Sequence, residues 1–272
     1  MVYIICFIVA LITAFAGSLL GLGGGVLFVP IMLLFSKLMD GFQWATPQAI
    51  VGISLIAMIL TTLSSTFSNW RRGLVDFRLG LYLVSGSVPG GIFGSWLNRY
   101  VQMDNFPLYF GSLLILISLL FLVKPKSKTE GLEHRKGTLR IFLMNGVEYQ
   151  YKITWIQPFI ISFFVGTLSG LFGIGGGSMI VPSLILLFGV PAHIAIATSL
   201  FMIIFSSSVG SITHIALGHI PWLYVIYVLP GAIIGGWVGA KVNQLMNGAM
   251  LIRILQICLV LIGVYLIADS LL

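Results

Sequence analysis

Apolar residues gather into runs at about 2–20, 22–38, 46–69, 79–97 and 106–123, then again at about 155–173, 174–190, 192–216, 221–240 and 250–268. Five runs stand on either side of a polar stretch at 124–154. A helix needs about 20 apolar residues to cross a bilayer, with about 17 as a lower limit, so the runs flanking each glycine cluster are marginal. The pattern predicts an all-α integral membrane protein. It divides into a first transmembrane repeat over 1–123, a linker over 124–154 and a second repeat over 155–272. Composition agrees: 58% of residues are hydrophobic and 8% charged, where a soluble domain carries roughly 25% charged. The lipid bilayer is therefore an obligate partner, and many of the 32 glycines suit close helix contacts.

The halves share more than composition. Gly21 to Pro30 reads GLGGGVLFVP and Gly173 to Pro182 reads GIGGGSMIVP. Ile53 onward (ISLIAMILTTLSST) pairs with Thr198 onward (TSLFMIIFSSSVGS), and VPGGIFG from Val88 pairs with LPGAIIG from Leu229, in the same order. This predicts an internal duplication.

Seven of the 14 Lys and Arg fall between Lys124 and Lys152, and Arg71, Arg72 and Arg78 mark the connection two runs earlier. Both stretches should face the cytoplasm, because positive residues are retained there. In the second half the connection at 214–220 lacks Lys and Arg, whereas the next lies near Lys241 and Arg253. The basic loops have exchanged places, as an odd number of crossings per half requires. The expectation is a multi-pass plasma-membrane protein with inverted repeats, both termini outside the cytoplasm and the linker inside. Residues 1–20 lack a positive leading region, so they read as a retained span and not a cleaved signal. The clustering of charge in one linker speaks against a nucleic-acid surface. A homo-oligomer is left open.

Glycine triplets and prolines interrupt helices. If the chain unwinds at GLGGG and restarts as a helix, the new N-terminus exposes amides that cannot face hydrocarbon and that favour an anion. Inverted symmetry would bring the two breaks together. The candidate substrate-binding residues are Gly21, Gly23, Gly24, Gly25, Ser54, Gly173, Gly175, Gly176, Gly177, Thr198 and Ser199. The alternative role for the glycines is close packing, and for the hydroxyls a bond back to their own or a neighbouring helix.

No Asp or Glu falls in the middle of an apolar run, Asp40, Asp76, Asp104 and Asp269 lying at ends, so a metal or organic-cation site lacks its carboxylates. Cys6 and Cys258 lack metal-ligand spacing, and His134, His193, His214 and His219 show no clustered motif. GLGGGV lacks the surroundings of a dinucleotide or P-loop fingerprint. No metal, no cofactor and no catalytic activity are expected, and the partner is a small anion.

The paired GxGGGxxxVP segments, with ISL and TSL one run later and the basic central linker, resemble the sulfite exporter TauE/SafE family over residues 5–268. That resemblance implies a membrane permease, usually an exporter, for sulfite, sulfonates or related sulfur-containing anions, working as a secondary transporter. An anion channel using the same backbone-lined site is the alternative. Gly52 to Ser54 reads GIS where the second half has Thr198 and Ser199, so the first half carries one hydroxyl fewer.

Overall fold

The computed structural model describes residues 2–98, 100, 106–120, 138–144 and 147–271. The first half contributes α1 (Val2–Leu20), α2 (Gly25–Leu38), α3 (Pro47–Trp70), α4 (Phe77–Asn98) and α5 (Phe106–Leu120). The second contributes α6 (Ile156–Phe172), α7 (Gly177–Phe188), α8 (Ala192–Ala216), α9 (Trp222–Asn243) and α10 (Gly248–Leu271). Five of these helices are long and apolar enough to cross a membrane: α1, α3, α8, α9 and α10 over Gly248–Ala268. Their outer faces carry bare apolar side chains, such as Ile4, Ile8 and Ile12 at one-turn spacing on α1, each 45% or more exposed. A water-soluble protein does not expose such faces, whereas lipid covers them. The chain is an all-α membrane protein.

Helix boundaries follow local chemistry. At the start of α3, the Thr46 side chain accepts from the Ala49 amide and Pro47 occupies the first turn, where its missing N–H costs nothing. Asp76 caps α4 by accepting from the amides of Arg78 and Leu79, both at 3.1 Å.

Packing pairs the halves. α4 lies along α6, and α1 along α9, more extensively than any other helices among the described residues. Both seams are glycine stripes. A Cβ at Gly86, Gly90 or Gly94 would lie 2.2, 2.2 or 1.9 Å from the carbonyl oxygens of Phe159, Phe163 and Thr167. At Gly231, Gly235 and Gly239 it would lie 2.6, 2.3 or 2.3 Å from those of Phe7, Leu11 and Phe15. The backbones touch, so any side chain would part them. Each seam ends in an asparagine holding a carbonyl at a break: Asn98 Nδ2 donates to Leu171 O at 2.6 Å, and Asn243 Nδ2 to Leu19 O.

These contacts correct the alignment of α4 with α9. Gly86 matches Gly231 and Asn98 matches Asn243, so Pro89 and Pro230 are not equivalent and the VPGG/LPGA pairing is one helical turn out of register. Glycines recurring every four residues allow that slip, because a four-residue shift restores most identities.

α3 and α8 run antiparallel. Asp76, just beyond the end of α3, donates its backbone amide to Thr198 Oγ1 near the start of α8, at 3.1 Å. Gly52, near the start of α3, lies against His214 and Ile220 at the far end of α8.

The linker is more structured than its polarity suggests. It contains an antiparallel hairpin of β1 (Thr138–Met144) and β2 (Val147–Ile153), in register Thr138↔Ile153 through Met144↔Val147. β2 rests on α7, and its Tyr151 and Ile153 are buried in the core.

Candidate functional site

Each glycine break turns its chain back on itself. Gly21, Gly23 and Gly24 have φ of +78°, +77° and +100°, and Gly173, Gly175 and Gly176 have +70°, +71° and +69°. Non-glycine residues adopt this region at a cost of about 1–2 kcal/mol, which is why these six positions are glycine. A Cβ on Gly24 would meet Thr13 O and Ala14 of α1, so α2 doubles back along α1. Gly176 likewise returns to Val165 and Ser169 of α6. The result is two helical hairpins.

The tips of the hairpins meet. A Cβ on Gly25 would lie 2.1 Å from Gly173 O, and one on Gly177 would lie 1.9 Å from Gly21 O. Ser54 of α3 donates to Gly173 O at 3.1 Å, and Ser199 of α8 donates to Gly21 O at 3.2 Å. Each also donates to its own helix, to Val51 O and Ile196 O at 2.8 Å. The structure thus brings the eight glycines, Ser54 and Ser199 to one crossing and gives the hydroxyls defined work: Ser54 and Ser199 tie the opposite break to the central helices, whereas Thr198, beside Ser199, turns away to accept from the Asp76 amide.

The polar surface left for a ligand is mainly backbone. Gly25 opens α2 and Gly177 opens α7, and the first amides of a helix have no partner inside it. Among the described residues, the amides of Gly25 and Val26, and of Gly177 and Ser178, find no acceptor. Beside the first set lies a narrow cleft lined by Thr13, Gly23, Gly24, Gly25, Ser54, Met58 and Thr61, among others, with room of ≈ 10 Å³, about that of one water molecule. At the second, Ser169 Oγ and Ser178 Oγ are buried without a hydrogen-bond partner. Partial positive charge at two helix starts, orphan amides and unmatched hydroxyls suit a small oxyanion.

Several contributors escaped the sequence reading. Met58 sits between the tips, its sulfur 3.2, 2.9 and 2.5 Å from a Cβ placed on Gly23, Gly25 and Gly175. Ile203 occupies the equivalent place on α8, against Gly23 and Gly177. Ser169 and Ser178 were missed because one sits where the first half has Gly17 and the other where it has Val26, so neither recurs in the repeat. Two expectations need correction. Asp76 does stand at a segment end, yet it is only 2% exposed, because Tyr151 of the hairpin covers it and donates its hydroxyl to Asp76 Oδ2. His214 and His219, unclustered by motif, lie with their Nδ1 atoms 3.1 Å apart, because the turn after α8 folds back on its last residues. Burial pushes the His219 imidazole below its usual value of 6.5. Among the described residues no group of three or more His, Cys, Asp or Glu could hold a metal.

The sequence profile of the family described as sulfite exporter TauE/SafE matches residues 6–266, nearly the whole chain. The chain belongs to the sulfite exporter TauE/SafE family. Relatives of this TauE/SafE protein include a probable membrane transporter protein, YunE, of Bacillus subtilis (strain 168), 40% identical over 271 residues that cover 99% of each chain. A second, from Methanocaldococcus jannaschii, is also named a probable membrane transporter protein and is 26% identical over 96% of this chain and 93% of its own. The Arabidopsis thaliana sulfite exporter TauE/SafE family protein 6 is 34% identical over 39% of this chain and 24% of its own. No solved structure matches. The chain is a multi-pass membrane transporter of the TauE/SafE family.

Proposed function

We propose that this TauE/SafE protein is a secondary transporter that exports small sulfur-containing oxyanions, such as sulfite or organosulfonates, across the plasma membrane by alternating access. The observation that carries the reading is the meeting of two glycine-broken hairpins, each of whose second helices starts with two unpaired amides, one pair beside the cleft at Gly23 to Gly25 and the other beside the hydroxyls of Ser169 and Ser178. Transporters with inverted repeats place their anion sites on such half-helix N-termini. The antiparallel run of α3 and α8 and the one-for-one exchange of contacts between halves support that arrangement. Ser54, Thr198 and Ser199 are each 0% exposed and bonded to neighbouring backbone, so no water-filled path runs past these side chains as an open channel would need.

The amides and hydroxyls at the crossing supply hydrogen bonds to oxygen without fixed countercharge. An ion of low charge with three or four compact oxygens fits that supply. Backbone donors hold such an ion in place of its water, and α2 and α7 contribute their N-terminal partial charges. The test is flux in proteoliposomes containing the purified protein, comparing sulfite, sulfate, thiosulfate and an alkylsulfonate. Saturable sulfite or sulfonate flux with accelerated counterflow is expected; flux that never saturates, or that shows no discrimination among these anions, contradicts the carrier reading.

A further inference from the structure

We propose that the linker hairpin is a latch that closes one mouth of the transport path, with Tyr151 and Asp76 as positioning residues that tie its movement to the anion site. The inference rests on the transport reading for its purpose, but the latch itself is a matter of structure. A linker between two membrane halves ordinarily lies in solvent. Here Tyr151 is 1% exposed and is the largest fully buried side chain among the described residues.

The contacts form one chain. The Tyr151 hydroxyl donates to Asp76 Oδ2. The other carboxylate oxygen, Oδ1, holds the first turn of α4 through the amides of Arg78 and Leu79. The Asp76 amide donates to Thr198 Oγ1. Thr198 adjoins Ser199, which holds the Gly21 carbonyl at the first break. Four residues thus connect a strand of the linker to the tip of the α1–α2 hairpin.

The two halves differ here in the way a latch needs. By the register that matches Gly86 with Gly231 and Ser54 with Ser199, Asp76 corresponds to Pro221 and Thr198 to Ile53. Neither can hydrogen-bond through its side chain. The polar chain therefore exists at only one mouth, the one the hairpin reaches, and it breaks the equivalence of two otherwise matched ends. A buried hydroxyl on a carboxylate is stable while shut and costly to leave unmade, so the strand either seats fully or withdraws.

The test uses the full chain in lipid nanodiscs, comparing wild type with Tyr151→Phe, which keeps the ring and deletes the hydroxyl. Hydrogen exchange followed by mass spectrometry reads the amides of 76–80 and 196–200, with 212–220 at the other mouth as internal control. Loss of one charge-assisted hydrogen bond predicts roughly tenfold faster exchange in the first two segments and no change in the third. In proteoliposomes the same variant should lower the half-saturating sulfite concentration on the hairpin's side and raise it on the other. Unchanged exchange at 76–80 and 196–200 in a variant that melts like wild type overturns the latch, whatever the flux does. Faster exchange in a protein whose wild type carries no sulfur oxyanion leaves the latch standing and removes the transport reading. If Tyr151→Phe does not fold, cysteines at positions 76 and 151 in a background lacking Cys6 and Cys258 can be bridged by a short bismaleimide. Flux arrested by the bridge supports the latch, and flux undiminished by it overturns the proposal.

Discussion

At the residue scale, the glycines at the crossing fall into two physical kinds. Gly24 and Gly176 are needed for their dihedrals, whereas Gly25 and Gly177 have nowhere to put a methyl group, since a Cβ there would lie 2.1 or 1.9 Å from an opposing carbonyl oxygen, far inside van der Waals contact. Gly25→Ala and Gly177→Ala should each force the tips apart and cost about 3 kcal/mol or more. Gly73→Ala, at φ +69° with nothing within 4 Å, should cost only about 1 kcal/mol. Thermal melts of the three variants in detergent check the order. Ser169 and Ser178 give a sharper separation of binding from folding. Removing a buried hydroxyl that has no partner should leave stability unchanged or raised, while a ligand that used it should bind roughly tenfold more weakly. Ser169→Ala and Ser178→Ala are therefore expected to melt at or above wild type and to show reduced stabilisation by sulfite; equal stabilisation would remove these hydroxyls from the site. His219 has its own signature. Its folded pKa is depressed, so below its unfolded value of about 6.5 the unfolded chain takes up a proton that the native state resists. Stability should be full above pH 6.5 and fall as pH drops through it, with His214 as the facing titratable group. His219→Gln should flatten that part of the melting profile, and a slope unaffected by the substitution would assign it to other groups.

At the element scale, the hairpins are held from outside by matched ties. Asn98 and Asn243 each donate to a carbonyl at the end of a first hairpin helix, Leu171 and Leu19, where no intrahelical partner exists. Asn98→Ala and Asn243→Ala should each cost about 1–3 kcal/mol in melts, by exposing an unmet buried acceptor. The larger loss is expected for Asn243→Ala, because Asn243 Oδ1 also lies 3.3 Å from His193 Nδ1 whereas Asn98 Oδ1 is buried without a partner; equal losses would show that the carbonyl ties alone matter. Helices were legible in the sequence because unbroken apolar runs leave little else for a chain in lipid to form. The linker hairpin was less legible, since its basic residues drew attention to charge. Yet Val147 to Ile153 alternates apolar and polar residues after Asn145-Gly146, the strongest short-range hairpin signal. Asp76 could not have been read as buried from its own surroundings, because the residue that covers it lies 75 positions downstream. The one-turn misregister of α4 and α9 arose from glycine recurring at the helical repeat itself, and only the carbonyls opposite each stripe resolve it.

At the scale of the whole molecule, two glycine-broken hairpins meet end to end, clasped by antiparallel α3 and α8 and framed by the α1–α9 and α4–α6 seams. The sidedness inferred from charge predicts that a single cysteine at position 128 labels only from the cytoplasm and one at position 219 only from outside, which impermeant maleimide on whole cells decides. Labelling of both from one side would undo the inverted arrangement. The account's central claim is that the crossing of the two breaks holds the anion. Selenite, an analogue of sulfite with an anomalous scatterer, tests it in crystals of the wild-type protein. The account predicts an anomalous peak within hydrogen-bonding reach of the amides of Gly25 and Val26, or of Gly177 and Ser178. A selenium peak elsewhere in the transmembrane body, with none at either helix start, would contradict it.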